Sequence, residues 1–151
     1  MNPELKKREL FSVLGVQSQI GHNSETASVF EEIWKKFEAE VDKIEPLSIE
    51  KNYFGIRFPC HDDGTEYLAG MAVPPDTSVP EGFVIRTVPE GEFAVVEVSI
   101  GDIGKTYGIV FNDWLPKSKV VHDSNRPVCE EYLANSFPER VRLCIPVKEK
   151  K

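Results

Sequence analysis

Phe30-Glu31-Glu32-Ile33-Trp34-Lys35-Lys36-Phe37-Glu38-Ala39-Glu40-Val41-Asp42-Lys43-Ile44 is the stretch on which the fold turns. Phe30, Ile33, Trp34, Phe37, Val41 and Ile44 recur at steps of three and four, with Glu31, Glu32, Lys35, Lys36, Glu38 and Glu40 between them. This period gives an amphipathic α-helix with one apolar stripe. Gly21-His22-Asn23-Ser24 ahead of it carries helix-start chemistry, and Pro46 closes it. The stripe needs a surface to cover, and the flanking segments read as strands. Glu9–Ile20 precedes the helix; Tyr53–Phe58 and Tyr67–Val73 follow it as a hairpin through polar His61-Asp62-Asp63-Gly64. The local order is β-α-β-β.

The same order returns further along. After the proline-rich link Pro74 to Gly82, Phe83–Val88 and Phe93–Ser99 read as a hairpin around Pro89-Glu90-Gly91. Gly101-Asp102 opens a second helix with Ile103, Tyr107, Val110, Phe111 and Trp114 on one stripe, ended by Pro116. Val128–Leu133 and Arg140–Val147 are the last strands. Each helix carries a late tryptophan, Trp34 and Trp114, and each is followed by a strand bearing a tyrosine, Tyr53 and Tyr132. The expected fold is α+β: two tandem β-α-β-β modules, about 8–75 and 82–148, related by a pseudo-two-fold axis within one domain. Helices followed by hairpins favour an antiparallel sheet with both helices on one face, flanking a central groove.

Composition narrows the function. At 151 residues, 40% of them hydrophobic, the chain can bury a real core as one domain. A formal net charge of −7 argues against nucleic acid and anionic membranes as direct partners, and favours cationic or neutral ones. Lys6-Lys7-Arg8 and the lysines near the C-terminus read as solvated tails. Cys60, Cys129 and Cys144 form no disulfide framework and fit a reducing cytoplasm. The N-terminus has no signal-peptide apolar region, and no apolar run approaches the ~20 residues of a membrane helix. A cytoplasmic location is the expectation.

Pro127-Val128-Cys129-Glu130-Glu131-Tyr132-Leu133 holds the candidate chemistry. In a strand, residues i and i+2 share a face, so Glu130 lies with Tyr132 and Glu131 lies with Cys129 and Leu133. A carboxylate and a phenol in an apolar groove make a site for an organic cation, or a general acid/base pair. An edge strand with two solvated glutamates fits the spacing as well, and spacing alone leaves both open. The aromatic residues add weight: 9 Phe, 4 Tyr and 2 Trp are more than two helices need to anchor on one sheet. Aromatic faces around one carboxylate hold a lipophilic cation through area and cation–π attraction.

Other motifs carry less. Ser99-Ile100-Gly101-Asp102-Ile103-Gly104-Lys105-Thr106 resembles a P-loop in position, but serine stands where its first glycine must be. Cys60-His61-Asp62-Asp63 lacks the paired spacing of a metal site and reads as a solvated turn. His22 and His122 lie in polar loops, and no nucleophile elbow occurs. No cofactor and no metal are expected.

The chain resembles the GyrI-like effector-binding domains, found also fused to AraC-type and MerR-type regulators. The resemblance runs from Leu14-Gly15-Val16 through Ile33-Trp34-Lys35-Lys36-Phe37, Tyr53-Phe54-Gly55-Ile56, Pro89-Glu90-Gly91-Glu92-Phe93-Ala94-Val95, Trp114-Leu115-Pro116-Lys117-Ser118 and Glu130-Glu131-Tyr132 to Ile145-Pro146-Val147. No piece is specific alone; their order on matching elements is. Stand-alone, integron-cassette-like members look most similar. Cys129 departs from the aromatic or aliphatic residue usual before the glutamate.

The resemblance implies that Glu130 lies in the groove and that cationic, lipophilic drugs or dyes bind there. Trp34, Phe54, Tyr132 and Trp114 would supply aromatic walls, with Phe37 and Tyr107 as further ligand-contacting candidates. Some stand-alone relatives hydrolyse cyclopropane-containing compounds, so a hydrolase with Glu130 as general base and a tyrosine beside it is the rival reading. A DNA-binding regulator is disfavoured, because nothing offers a helix-turn-helix with a basic face. A separate regulator protein or a second copy of the chain stays open as a partner.

Overall fold

The computed structural model describes residues 2–21, 27–59, 64–134 and 139–150. In chain order the strands are β1 (Glu4–Arg8), β2 (Phe11–Ile20), β3 (Tyr53–Pro59), β4 (Thr65–Val73), β5 (Val84–Val88), β6 (Gly91–Ser99), β7 (Val120–His122), β8 (Val128–Tyr132) and β9 (Arg140–Glu149). The helices are α1 (Ala27–Ala39), its continuation α2 (Val41–Ile44), α3 (Ile103–Ile109) and a last turn α4 (Leu115–Lys117). The fold is α+β, and every strand pairing among the described residues is antiparallel.

The sheet runs β1-β6-β9-β8-β3-β4-β2-β5, with β7 added on β9. β3 and β8 meet at the centre, Tyr53 opposite Tyr132 and Gly55 opposite Glu130. Outward from them β9 matches β4, β6 matches β2, and β1 matches β5, so the strand order is symmetric about the β3–β8 pair. The two ends of this path are continuous in the chain. β1 runs into β2 through Glu9 and Leu10, and β5 into β6 through Pro89 and Glu90. The register also carries across the break: Arg8 faces Gly91 and Phe11 faces Val88, in one antiparallel ladder. Two long interrupted strands therefore close the sheet on itself.

This closure corrects two expectations. Phe83–Val88 and Phe93–Ser99 are not a hairpin: they are successive parts of one strand, with Pro89 unable to donate to a ladder at the gap. Lys6-Lys7-Arg8 is not a solvated tail, because it forms β1 against β6. Smaller differences follow from local chemistry. Pro116 sits inside the last helical turn, and the missing amide is accommodated by a π-helical turn over Val110–Trp114. Gly21 is described, while His22, Asn23 and Ser24, and the segment Cys60-His61-Asp62-Asp63, lie outside the described residues.

Closing the sheet gives it an inner and an outer face. Val13, Phe54, Ile56, Phe58, Leu68, Val88, Phe93, Cys129 and Cys144 fill the inside. Ile33, Phe37 and Ile44 of α1 and α2 pack outside on Leu14, Tyr67, Ala69 and Met71. The α3 segment packs outside on Ala94, Val96, Val141, Leu143 and Ile145. Both helical segments thus lie on one face, as their single apolar stripes require. Gly15 and Gly70 face each other across β2 and β4, and a side chain on either would meet the opposing backbone. No helix among the described residues is long and apolar enough to cross a membrane.

Candidate functional site

Strand alternation sends Glu130 and Tyr132 outward and Glu131 inward, but both glutamates are buried, at 4% and 2% exposure. Glu130 sits on the floor of the groove between α1 and α3. Its neighbour on β3 is Gly55, where a Cβ would strike the Tyr67 hydroxyl and come within 3.3 Å of Glu130 Oε1. A side chain there would fill the place that the carboxylate and phenol occupy, so the glycine opens the floor.

Two phenols hold the carboxylate. The Tyr132 hydroxyl donates to Oε1 at 2.8 Å, and the Tyr107 hydroxyl, from α3, donates to Oε2 at 2.9 Å. Arg57 of β3 brings its Nε to 3.9 Å from Oε2. Its guanidinium lies 4.8 Å from the Phe30 ring centre and 5.9 Å from that of Tyr67. Trp34 of α1 donates its indole N–H to the Tyr67 hydroxyl at 3.1 Å, and its ring meets Tyr132 edge-on at 5.3 Å. Burial, and then the charge of Glu130, push Tyr67, Tyr107 and Tyr132 upward from the ordinary phenol value. All three remain protonated donors near neutrality.

The groove has two parts. One hollow of about 440 Å³ is lined by Phe30, Trp34, Arg57, Tyr67, Ile103, Glu130 and Tyr132, with Glu31, Lys35 and Glu38 at its edge. The other, about 490 Å³, shares Trp34, Glu38 and Tyr132 and adds Tyr53, Ile100, Leu133 and Arg140. The Trp34–Tyr132 ring pair stands between them. Both volumes suit a drug-sized molecule.

The sequence-derived candidates divide accordingly. Glu130, Tyr132, Trp34 and Tyr107 come together. Phe54 does not: it points inward beside Val13 and Ile56 with no exposure, because its neighbour Gly55 takes the outward position. Phe37 is fully buried beneath Trp34 and Tyr53, rings 5.6 and 5.1 Å away, and supports the wall from behind. Trp114 ends the π-helical turn of the second helical segment, half-buried against the core, and borders neither hollow. Phe30, Arg57, Tyr67 and Ile103 escaped the sequence reading. Phe30 lies one helical turn before Trp34, and Tyr67 alternates with Ala69 and Met71, which is the signal that was available. Linking them to Glu130 takes the long-range register of β4, β3 and β8.

On the inner face, Glu131 is tied down completely. Arg8 and Arg142 each donate to Oε1, at 3.2 and 3.1 Å, and Asn52 donates to Oε2 at 2.7 Å. This carboxylate joins β1, β9 and the segment before β3. Its structural role separates it from Glu130.

The same architecture occurs in known structures. One, described as SAV2435 bound to tetraphenylphosphonium, superposes with a TM-score of 0.82 at 11% identity, covering 98% of this chain and 94% of that one. An integron cassette protein from the mobile metagenome of Vibrio cholerae gives 0.69 at 16% identity, covering 98% and 97%. A hydrolase from Listeria innocua gives 0.58 at 11% identity, covering 97% and 92%. At such identities the likeness establishes the fold, which by itself does not carry function. No curated protein matches the sequence. The family model for Cass2, the integron-associated effector binding protein, matches residues 4–147, nearly the whole chain, and the protein belongs to that family.

Proposed function

We propose that this protein binds lipophilic organic cations in the groove between α1 and α3, with Glu130 as counter-charge, Trp34, Tyr67 and Tyr132 as aromatic contacts, and Tyr107, which borders neither hollow, holding the carboxylate. The observation that carries this reading is a carboxylate 4% exposed, held by two phenol hydroxyls among aromatic rings. Family membership supports small-molecule binding, and a structural neighbour was solved with tetraphenylphosphonium. Arg57 adds a second argument. Its guanidinium rests on Phe30 beside Glu130, the position in which a ligand's own positive charge gains most from ring faces and carboxylate. An incoming cation takes over that position and pushes Arg57 toward solvent.

Titration with tetraphenylphosphonium and with neutral triphenylphosphine oxide tests the reading. Glu130→Gln should weaken the cation by about 2 kcal/mol or more and leave the neutral compound nearly unchanged. Equal losses for the two would remove Glu130 from the counter-charge role.

Hydrolysis of cyclopropane-containing or similar electrophilic small molecules is the second reading. Two protonated phenols converging on one carboxylate favour it, since they could orient water or supply a proton while Glu130 acts as base. Single-turnover reaction of a reactive cyclopropane compound with excess enzyme decides between them. Product from the wild type and none from Glu130→Gln, with substrate still bound, would replace binding by catalysis.

A further inference from the structure

A third concavity, about 310 Å³, opens on the inner face of the sheet where β1, β6 and β9 run side by side, on the opposite face from Glu130. Lys6, Arg8 and Arg142 border it together with Phe93, Val95 and Cys144. Their register explains the company they keep: Lys6 lies opposite Phe93, Val95 opposite Cys144, and Arg142 is two residues from Cys144. Every charged side chain at its border is basic, in a chain whose formal net charge is −7.

The two arginines are fixed from behind. Each donates one Nη1 hydrogen bond to the same buried oxygen of Glu131, at 3.2 and 3.1 Å. Arg8 is further clamped over the Phe11 ring at 4.3 Å. A guanidinium carries five N–H donors, so one bond anchors each fork and leaves donors for a second partner. Their side chains are 30% and 36% exposed, and both border the hollow. Four acids lie nearby without lining the hollow: Glu131 sits beneath the forks, Glu50 interacts with Glu131 and with both arginines, Glu4 lies opposite Val95 and pairs with Lys6 at 3.4 Å, and Glu97 lies opposite Arg142 and pairs with Arg140 at 3.4 Å. Paired, prepositioned guanidiniums recognise planar or tetrahedral oxyanions, and half-buried Val95, backed by buried Phe93, offers an apolar wall next to them.

We propose that this hollow is a binding site for a small organic oxyanion, a carboxylate, sulfonate or phosphate monoester bearing one aromatic ring. The head group lies on Arg8, Arg142 and Lys6, and the ring on Val95. The volume is at the lower end for ligand pockets and limits the occupant to about one ring.

Phenyl phosphate added to ¹⁵N-labelled full-length protein tests this. Saturable shifts are expected for the amides of Leu5 to Arg8, Phe93 to Val95 and Arg142 to Cys144. Lys6→Gln and Arg142→Gln should each weaken binding about tenfold, the loss of one charge-assisted hydrogen bond. Inorganic phosphate, without a ring, should bind more weakly than phenyl phosphate at the same amides. Tetraphenylphosphonium affinity should be unchanged in both variants. Shifts that never saturate, that fall on groove residues instead, or that persist with wild-type affinity in Lys6→Gln would overturn the proposal. Should Arg142→Gln fail to fold, Lys6→Gln decides alone, since Lys6 is exposed and outside the Glu131 network.

Discussion

At the scale of single residues, Arg57 is the side chain whose change should improve the protein's binding. On the proposed function its guanidinium would compete with a bound cation for the Glu130 carboxylate and the Phe30 face. Arg57→Met keeps an unbranched chain against Phe30 and removes the charge. Tetraphenylphosphonium should then bind about fivefold tighter, the ~1 kcal/mol of a partly exposed ion pair. Unchanged or weaker binding, read by calorimetry, would mean that ligand and guanidinium coexist. Glu131 behaves oppositely to its neighbour. Glu131→Gln leaves a weaker acceptor for Arg8, Arg142 and Asn52 and should cost about 2 kcal/mol of stability in urea denaturation, with little effect on cation affinity. The strand period told Glu130 and Glu131 apart by face. It could not reveal that Glu131 is buried, because its partners come from residues far away along the chain.

At the scale of elements, the Gly15–Gly70 contact is where the sheet tolerates least change. Gly70→Val would drive a branched side chain into the Leu14 backbone on β2. Overpacking of this kind costs about 3 kcal/mol, and a backbone obstacle has little room to yield. The melting temperature should drop by several degrees, while a variant at solvent-facing Gly104 should not show such a loss. The elements that sequence made legible are those with local signals. α1 has a regular apolar stripe, β3 and β4 flank a polar run of sequence, and β8 alternates. β1 has no such alternation, since its Glu4-Leu5-Lys6-Lys7-Arg8 is almost wholly charged and its partner is β6. β5 and β6 were misleading for a related reason: Pro89-Glu90-Gly91 has turn chemistry, but both segments pair with the chain's beginning. Phe54 was misplaced by one residue of alternation, which is enough to move a ring from groove to core.

At the scale of the whole molecule, all four tyrosines resist ionisation. Burial is the first cause for each; the charge of Glu130 follows for Tyr67, Tyr107 and Tyr132, and those of Glu45 and Glu38 for Tyr53. Their folded values lie above the unfolded value of about 10. Stability from these groups is therefore complete below that pH and is lost as pH rises beyond it. In an alkaline titration, tyrosinate absorbance should appear together with unfolding, as one cooperative step. Smooth ionisation near pH 10 in a protein that keeps its circular dichroism would show the groove to be wetter than its packing indicates.

The ladder that closes the sheet has a consequence for how the chain is made. Glu4 pairs with Val95 and Phe11 with Val88, so β1 leaves the ribosome well before its partner β6 is synthesised. Until then it presents an unpaired edge, the template on which strands of neighbouring nascent chains can add. Closure must also draw distant segments together before their contacts return any free energy, which makes folding slow. Translation arrested before β6 should yield nascent chains that depend on chaperones, and release of the full length should remove that dependence.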